Sequence, residues 1–144
     1  MRPDEPPVER DVLRQKVQFV RDQVRLLDEL ASRPREDFLS DWTLQAAATR
    51  SLQIAIEAIL DACHHVIARE GLGLPKTYQE AIDLVVRHGV LPKEAHDMFS
   101  RMVRFRNRAV HLYEEIDPEE IWQILQDHLD DFEVFVAAIT RRYF

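Results

Sequence analysis

The stretch from Asp41 to Glu70 runs without a proline or a glycine. Along it, Leu44, Ala47, Ala48, Leu52, Ile56, Ile59, Leu60, Cys63 and Ile67 recur at steps of three and four. That spacing puts them on one side of a helix, and an apolar side this wide needs cover from more than one neighbour. The segment therefore reads as a central helix, capped by Asp41 and stopped by Gly71 and Gly73. A period-two alternation, the mark of a half-buried strand, persists nowhere, so the neighbours that supply the cover must also be helices.

The flanks supply them. Leu13, Val17, Val20, Val24, Leu27 and Leu30 form one narrow stripe between about Val8 and Leu30, suited to a bundle seam. Pro34 ends that helix and allows a short turn over 35–39. Thr77 and Glu80 have capping-box spacing ahead of Ile82, Leu84, Val85 and Val86, a helix that ends at Gly89. Pro92 opens a helix carrying Met98, Phe99, Met102, Val103, Arg106 and Val110. Asp117-Pro118-Glu119-Glu120 starts a last helix, with Ile121, Leu125, Leu129, Phe132, Phe135, Val136 and Ile139 on its apolar side. Trp42 and Trp122 are expected to pack at helix starts. The sum is an all-α, up-and-down four-helix bundle with one or two additional short helices. Residues 8–144 read as one domain, and 1–7, with Pro3, Pro6 and Pro7, as a flexible start.

Composition narrows the function classes. A chain of 144 residues with 46% hydrophobic and 31% charged residues is an ordinary globular protein with room for a core. No apolar run approaches the roughly 20 residues of a membrane span, and the N-terminus has no signal-peptide pattern. Cys63 is the single cysteine, so no internal disulfide can form and a cytoplasmic location is expected. The net charge of −7 argues against a protein that coats nucleic acid, but the charge is unevenly spread. Four arginines fall between residues 101 and 108, followed by nine acidic residues and no Lys or Arg between Glu114 and Glu133. Arg101, Arg104 and Arg108 are either a solvated helix face or the lining of an RNA path.

The same stretch holds the side chains able to do chemistry. Arg106 is a permanent cation that can grip a phosphate with two N–H groups. His111 is suited to moving protons near neutral pH, and Tyr113 adds a second ionisable group, a phenol hydroxyl. RNA cleavage needs little more, because the 2′-hydroxyl is already an internal nucleophile. The enzyme has to move a proton and stabilise charge on the pentacoordinate phosphorus. On an unbroken helix Arg106 and Tyr113 share a face, whereas Arg106 and His111 are offset. Unwinding near His111, ahead of the cap at Asp117, is expected to let them converge on one phosphate. Asn107 would fix the imidazole or touch the phosphate. No His, Cys and carboxylate spacing points to a metal, and no glycine-rich phosphate loop or nucleophile elbow is present.

Arg106-Asn107-x-x-x-His111-x-Tyr113 resembles the Arg-x(4–6)-His motif of HEPN-domain ribonucleases, and in particular of the HepT-type toxins of bacterial and archaeal toxin–antitoxin pairs. The similarity runs from about residue 10 to about residue 140. It takes in the long helix Leu44 to Ala68, Leu74-Pro75-Lys76-Thr77-Tyr78-Gln79-Glu80-Ala81, Met102-Val103-x-Phe105-Arg106-Asn107 and Ile116-Asp117. The resemblance implies a homodimer with two motif copies facing a shared cleft. It also implies metal-independent endoribonuclease activity without a cofactor, and Arg106 and His111 as the catalytic pair. The implied partner is an antitoxin of the minimal nucleotidyltransferase (MNT) type, which silences such toxins by AMPylation of the motif tyrosine, here Tyr113. Glu57 and Asp61 lie one turn apart on the helix expected to back the site, where either could orient Arg106 or His111. The alternative is a non-catalytic subunit that binds a nucleotide or a partner for a small nucleotidyltransferase.

Overall fold

The computed structural model describes residues 8–111 and 116–144. The start at 1–7 and the segment 112–115, which contains Tyr113, lie outside the described residues. Seven α-helices follow one another among the described residues: α1 (Arg10–Ala31), α2 (Arg35–Ser40), α3 (Trp42–Glu70), α4 (Tyr78–Arg87), α5 (His96–His111), α6 (Pro118–Asp127) and α7 (Asp130–Tyr143). A single 3-10 turn, Lys93–Ala95, leads into α5. The architecture is the expected all-α, up-and-down bundle, with α2 and α4 as the short additions.

Each helix end has a local cause. The Asp41 carboxylate accepts from the backbone N–H of Thr43 at 2.9 Å and of Leu44 at 3.4 Å, which fixes the start of α3. Gly71 closes that helix in the left-handed region at φ 66° and ψ 41°, a conformation that costs glycine nothing. Thr77 Oγ1 accepts from the N–H of Glu80 at 3.0 Å, and the Glu80 carboxylate reaches back to the N–H of Lys76 at 2.6 Å. Asp117 caps α6 at 2.9 Å through the N–H of Glu119, with Pro118 as the first helical residue.

α3 is the hub, packing against α1, α2, α4, α5 and α6, while α7 lies on α1. By length and composition α3 could cross a bilayer, but 61% of its most apolar window is buried inside the bundle, as a central helix requires. The core is one cluster of buried side chains, with Leu13, Leu27, Leu52, Ile59, Phe38, Phe99 and Phe135 among those fully enclosed. The Cys63 thiol belongs to it, and burial pushes its pKa up to about 12, so it behaves as a small apolar side chain.

Three expectations are corrected. The last helix is broken in two: His128 closes α6, and its ring pairs with Asp131 at 3.2 Å at the start of α7. The acidic first turn at Asp130 and Asp131 favours a fresh helix N-terminus, while Leu125, Leu129 and Phe132 keep the apolar spacing across the break. Trp42 does not pack at its helix start but is 75% exposed, whereas Trp122 does pack, on Phe38 at 5.5 Å. Ala47 is exposed, because the buried side of α3 turns through Ala48, Ser51, Leu52 and Ala55 instead.

Candidate active site

α5 lies on α3, and this contact places Arg106 against Glu57. The Glu57 carboxylate accepts from Arg106 Nε at 3.1 Å and lies 3.0 Å from Nη2. Arg106 Nη1 donates to Asn107 Oδ1 at a longer 3.4 Å. The guanidinium carbon Cζ sits over the ring of Tyr78, the first residue of α4, 4.8 Å from the ring centroid. Tyr78 is braced in turn by His64 of α3, edge to face at 5.8 Å. The Arg106 side chain is only 16% exposed, so this carboxylate–cation–ring stack is a half-enclosed charge rather than a surface pair. A guanidinium carries five N–H groups, and these contacts leave part of that fork unused.

α5 is helical through His111, the last described residue before 112–115, and His111 is exposed. The unwinding expected near His111 does not occur within the described residues. At 3.6 residues per turn, Arg106 and His111 point about 140° apart around the axis and are separated by roughly 7.5 Å along it. His111 instead continues a stripe of Arg101, Arg104 and Arg108, at steps of three and four on the outer side of α5.

The other candidates separate by partner. Arg101 and Arg104 are exposed and rim a groove of about 420 Å³ floored by Leu52, Ile56, Met102 and Phe105. Arg108 lines the same groove, but its two Nη atoms bind the two carboxylate oxygens of Glu120 at 2.6 and 2.9 Å. Asp61 is not brought to Arg106: one turn beyond Glu57, it faces α1 and pairs with Lys16 at 3.3 Å. Among the described residues no three His, Cys, Asp or Glu side chains come together to hold a metal ion.

The sequence reading missed Tyr78. Its position opening α4 was legible, but no spacing rule links residues 78 and 106. It also missed a polar cluster in the α4–α5 seam. There His96 Nε2 meets Asp83 at 2.7 Å, and Gln79 donates to Asp83 at 3.0 Å and to the buried Ser100 at 2.9 Å. The hydrogen bonds to His96 and Gln79 hold the Asp83 carboxyl below its ordinary range, and the bond to Asp83 raises the His96 imidazole above its own.

A family model described as Ribonuclease HepT-like matches residues 20–139, most of the chain. The chain belongs to the HepT-like ribonuclease family. An mRNA nuclease HepT of Shewanella oneidensis is 32% identical over 102 residues, covering 71% of this chain and 77% of the relative. A tRNA nuclease HepT of Aphanizomenon flos-aquae is 27% identical over 105 residues, covering 73% and 71%. Among solved structures, a tri-AMPylated HEPN toxin of Shewanella oneidensis in complex with its MNT antitoxin superposes with a TM-score of 0.85. That structure shares 26% identity and covers 92% of this chain and 98% of its own. The HepT-like match spans Glu57, Tyr78 and the whole of α5, so the stack around Arg106 lies inside the family region.

Proposed function

We propose that this chain is the toxin of a HEPN/MNT toxin–antitoxin pair, a metal-independent endoribonuclease that acts as a homodimer in the cytoplasm. The observation that carries the reading is Arg106. A guanidinium is held by Glu57 through Nε and Nη2 and lies over the Tyr78 ring, with donors to spare, on the helix that carries His111. In this reading the 2′-oxygen of RNA attacks the adjacent phosphorus and its proton passes to His111. Arg106 stabilises the charge on the pentacoordinate phosphorus, with Asn107 as its neighbour. The P–O5′ bond breaks, a protonated imidazole gives its proton to the departing 5′-oxygen, and a 2′,3′-cyclic phosphate and a 5′-hydroxyl remain. Arg101 and Arg104, with Arg108, guide the strand along the outer side of α5.

The partner we assign is a minimal nucleotidyltransferase that AMPylates Tyr113, adding a bulky negative group two residues from His111 that blocks the cleft and repels RNA. The names carried by the relatives, nucleases of mRNA and tRNA and an AMPylated toxin bound to its antitoxin, support this assignment.

The test is cleavage of total cellular RNA in EDTA, after mass spectrometry has shown Tyr113 unmodified. Wild type is expected to cut and leave 2′,3′-cyclic phosphate ends, and Arg106→Ala and His111→Ala to be inactive as folded dimers. The offset of about 140° between Arg106 and His111 favours one other reading, a subunit that binds a nucleotide or a nucleotidyltransferase without catalysis. Absence of cleavage by a folded, unmodified dimer would select that reading.

A further inference from the structure

We infer that Tyr78 is a positioning residue for Arg106, acting through the face of its ring; the inference rests on the ribonuclease reading above. An arginine side chain has several rotatable bonds and reaches its phosphate only if its plane is fixed. Glu57 fixes one edge of that plane, and the contact from Nη1 to Asn107, at 3.4 Å longer than an ordinary N–H···O bond, restrains rotation about the Glu57–guanidinium line only weakly. The Tyr78 ring, 4.8 Å from Cζ, opposes that rotation, and the T-shaped contact with His64 at 5.8 Å braces the ring. The backbone beneath is equally constrained, since Tyr78 directly follows the Thr77 cap and the Glu80 carboxylate ties back to Lys76. Nothing in this arrangement uses the Tyr78 hydroxyl: it is the ring that touches Arg106 and His64.

A merely structural tyrosine at this place would lower stability and leave turnover per folded molecule intact. A positioning tyrosine would lower turnover while the RNA still binds, because strand affinity comes mainly from phosphate contacts spread over several cations. The experiment compares wild type, Tyr78→Phe and Tyr78→Leu as purified unmodified dimers. It measures kcat and KM on one RNA oligonucleotide, together with the Arg106 Nε–H NMR signal, which the ring current of Tyr78 shifts. Tyr78→Met replaces the leucine variant if that one does not fold. The expected result is a fall in kcat of roughly 10- to 100-fold in Tyr78→Leu with KM within about threefold. Tyr78→Phe should stay near wild type, and the Nε–H signal should move only in the variant without a ring.

A leucine variant that turns over like wild type overturns the inference and leaves the ribonuclease reading standing. So does a change confined to KM, which would make Tyr78 a substrate contact. Equal losses in the phenylalanine and leucine variants would assign the effect to the hydroxyl and overturn the stacking role. A wild-type protein that cuts no RNA overturns both.

Discussion

Glu57 and Asp61 are two carboxylates one turn apart on the same helix, and the bundle uses them differently. Glu57 meets α5 and holds Arg106 with both side chains largely enclosed, at 29% and 16% exposure. Asp61 leans toward α1 and holds Lys16 in the open, at 57% and 35%. A difference of one turn changes which neighbouring helix lies opposite, and with it the surrounding dielectric. An exposed pair of the Asp61 kind contributes about 0–1 kcal/mol. Removing one partner of a buried pair costs about 3–5 kcal/mol, because the other charge is stranded, and Glu57–Arg106 lies between these limits. Glu57–Arg106 therefore has the rigidity that the proposed phosphate grip needs, and Asp61–Lys16 does not.

The comparison can be broken most severely at Arg106. Arg106→Ala should reduce RNA cleavage by roughly 10²–10³-fold or more, the scale for removing one charge-stabilising donor. It should also lower the melting temperature, since Glu57 is left half-enclosed without its partner. Single-turnover cleavage and a thermal melt on the same sample check both. Glu57→Gln keeps an acceptor but removes the charge, so a smaller loss of about tenfold in kcat is expected, with the dimer intact. A Glu57→Gln protein with full activity would reduce Glu57 to a structural partner and erase the contrast with Asp61.

The seam between α4 and α5 offers a test that depends on pH. The raised His96 imidazole contributes stability that is complete below its unfolded value, near 6.5, and is lost as pH rises through the higher folded value. The depressed Asp83 carboxyl contributes stability present above its ordinary value, near 3.8, and lost as pH falls through the lower folded value. The window in which both act is therefore mildly acidic. The melting-temperature difference between wild type and His96→Gln should be larger at pH 5.5 than at pH 8, and an equal difference at both would remove the pair from the stability of the seam. The smallest effect belongs to Asp61→Asn, for which cleavage within twofold of wild type and a stability change within about 0.5 kcal/mol are expected. A tenfold loss of activity in that variant would show that the two carboxylates act as one unit.

Much of this architecture is legible in the sequence alone. The stripe from Leu13 to Leu30 and the wide side of α3 are where periodicity places them, because burial follows the helical repeat whatever the neighbours are. The caps at Asp41, Thr77 and Asp117 were legible because a cap is satisfied by backbone within three residues. The break at His128 was hidden because the apolar spacing runs through it unchanged. Trp42 was misplaced because helix starts do not dictate which way an aromatic turns.

The sequence by itself determined the helical class, the capped helix starts at Asp41, Thr77 and Asp117, and the segment that carries Arg106 and His111, since periodicity, capping and chain order are all local. Tertiary structure alone decided that Glu57 and not Asp61 meets Arg106, that Tyr78 stacks on it, and that Arg108 is taken by Glu120. Those choices join residues 49, 28 and 12 positions apart in the chain. They depend on how α3, α4, α5 and α6 pack against one another, a relation that no local repeat encodes.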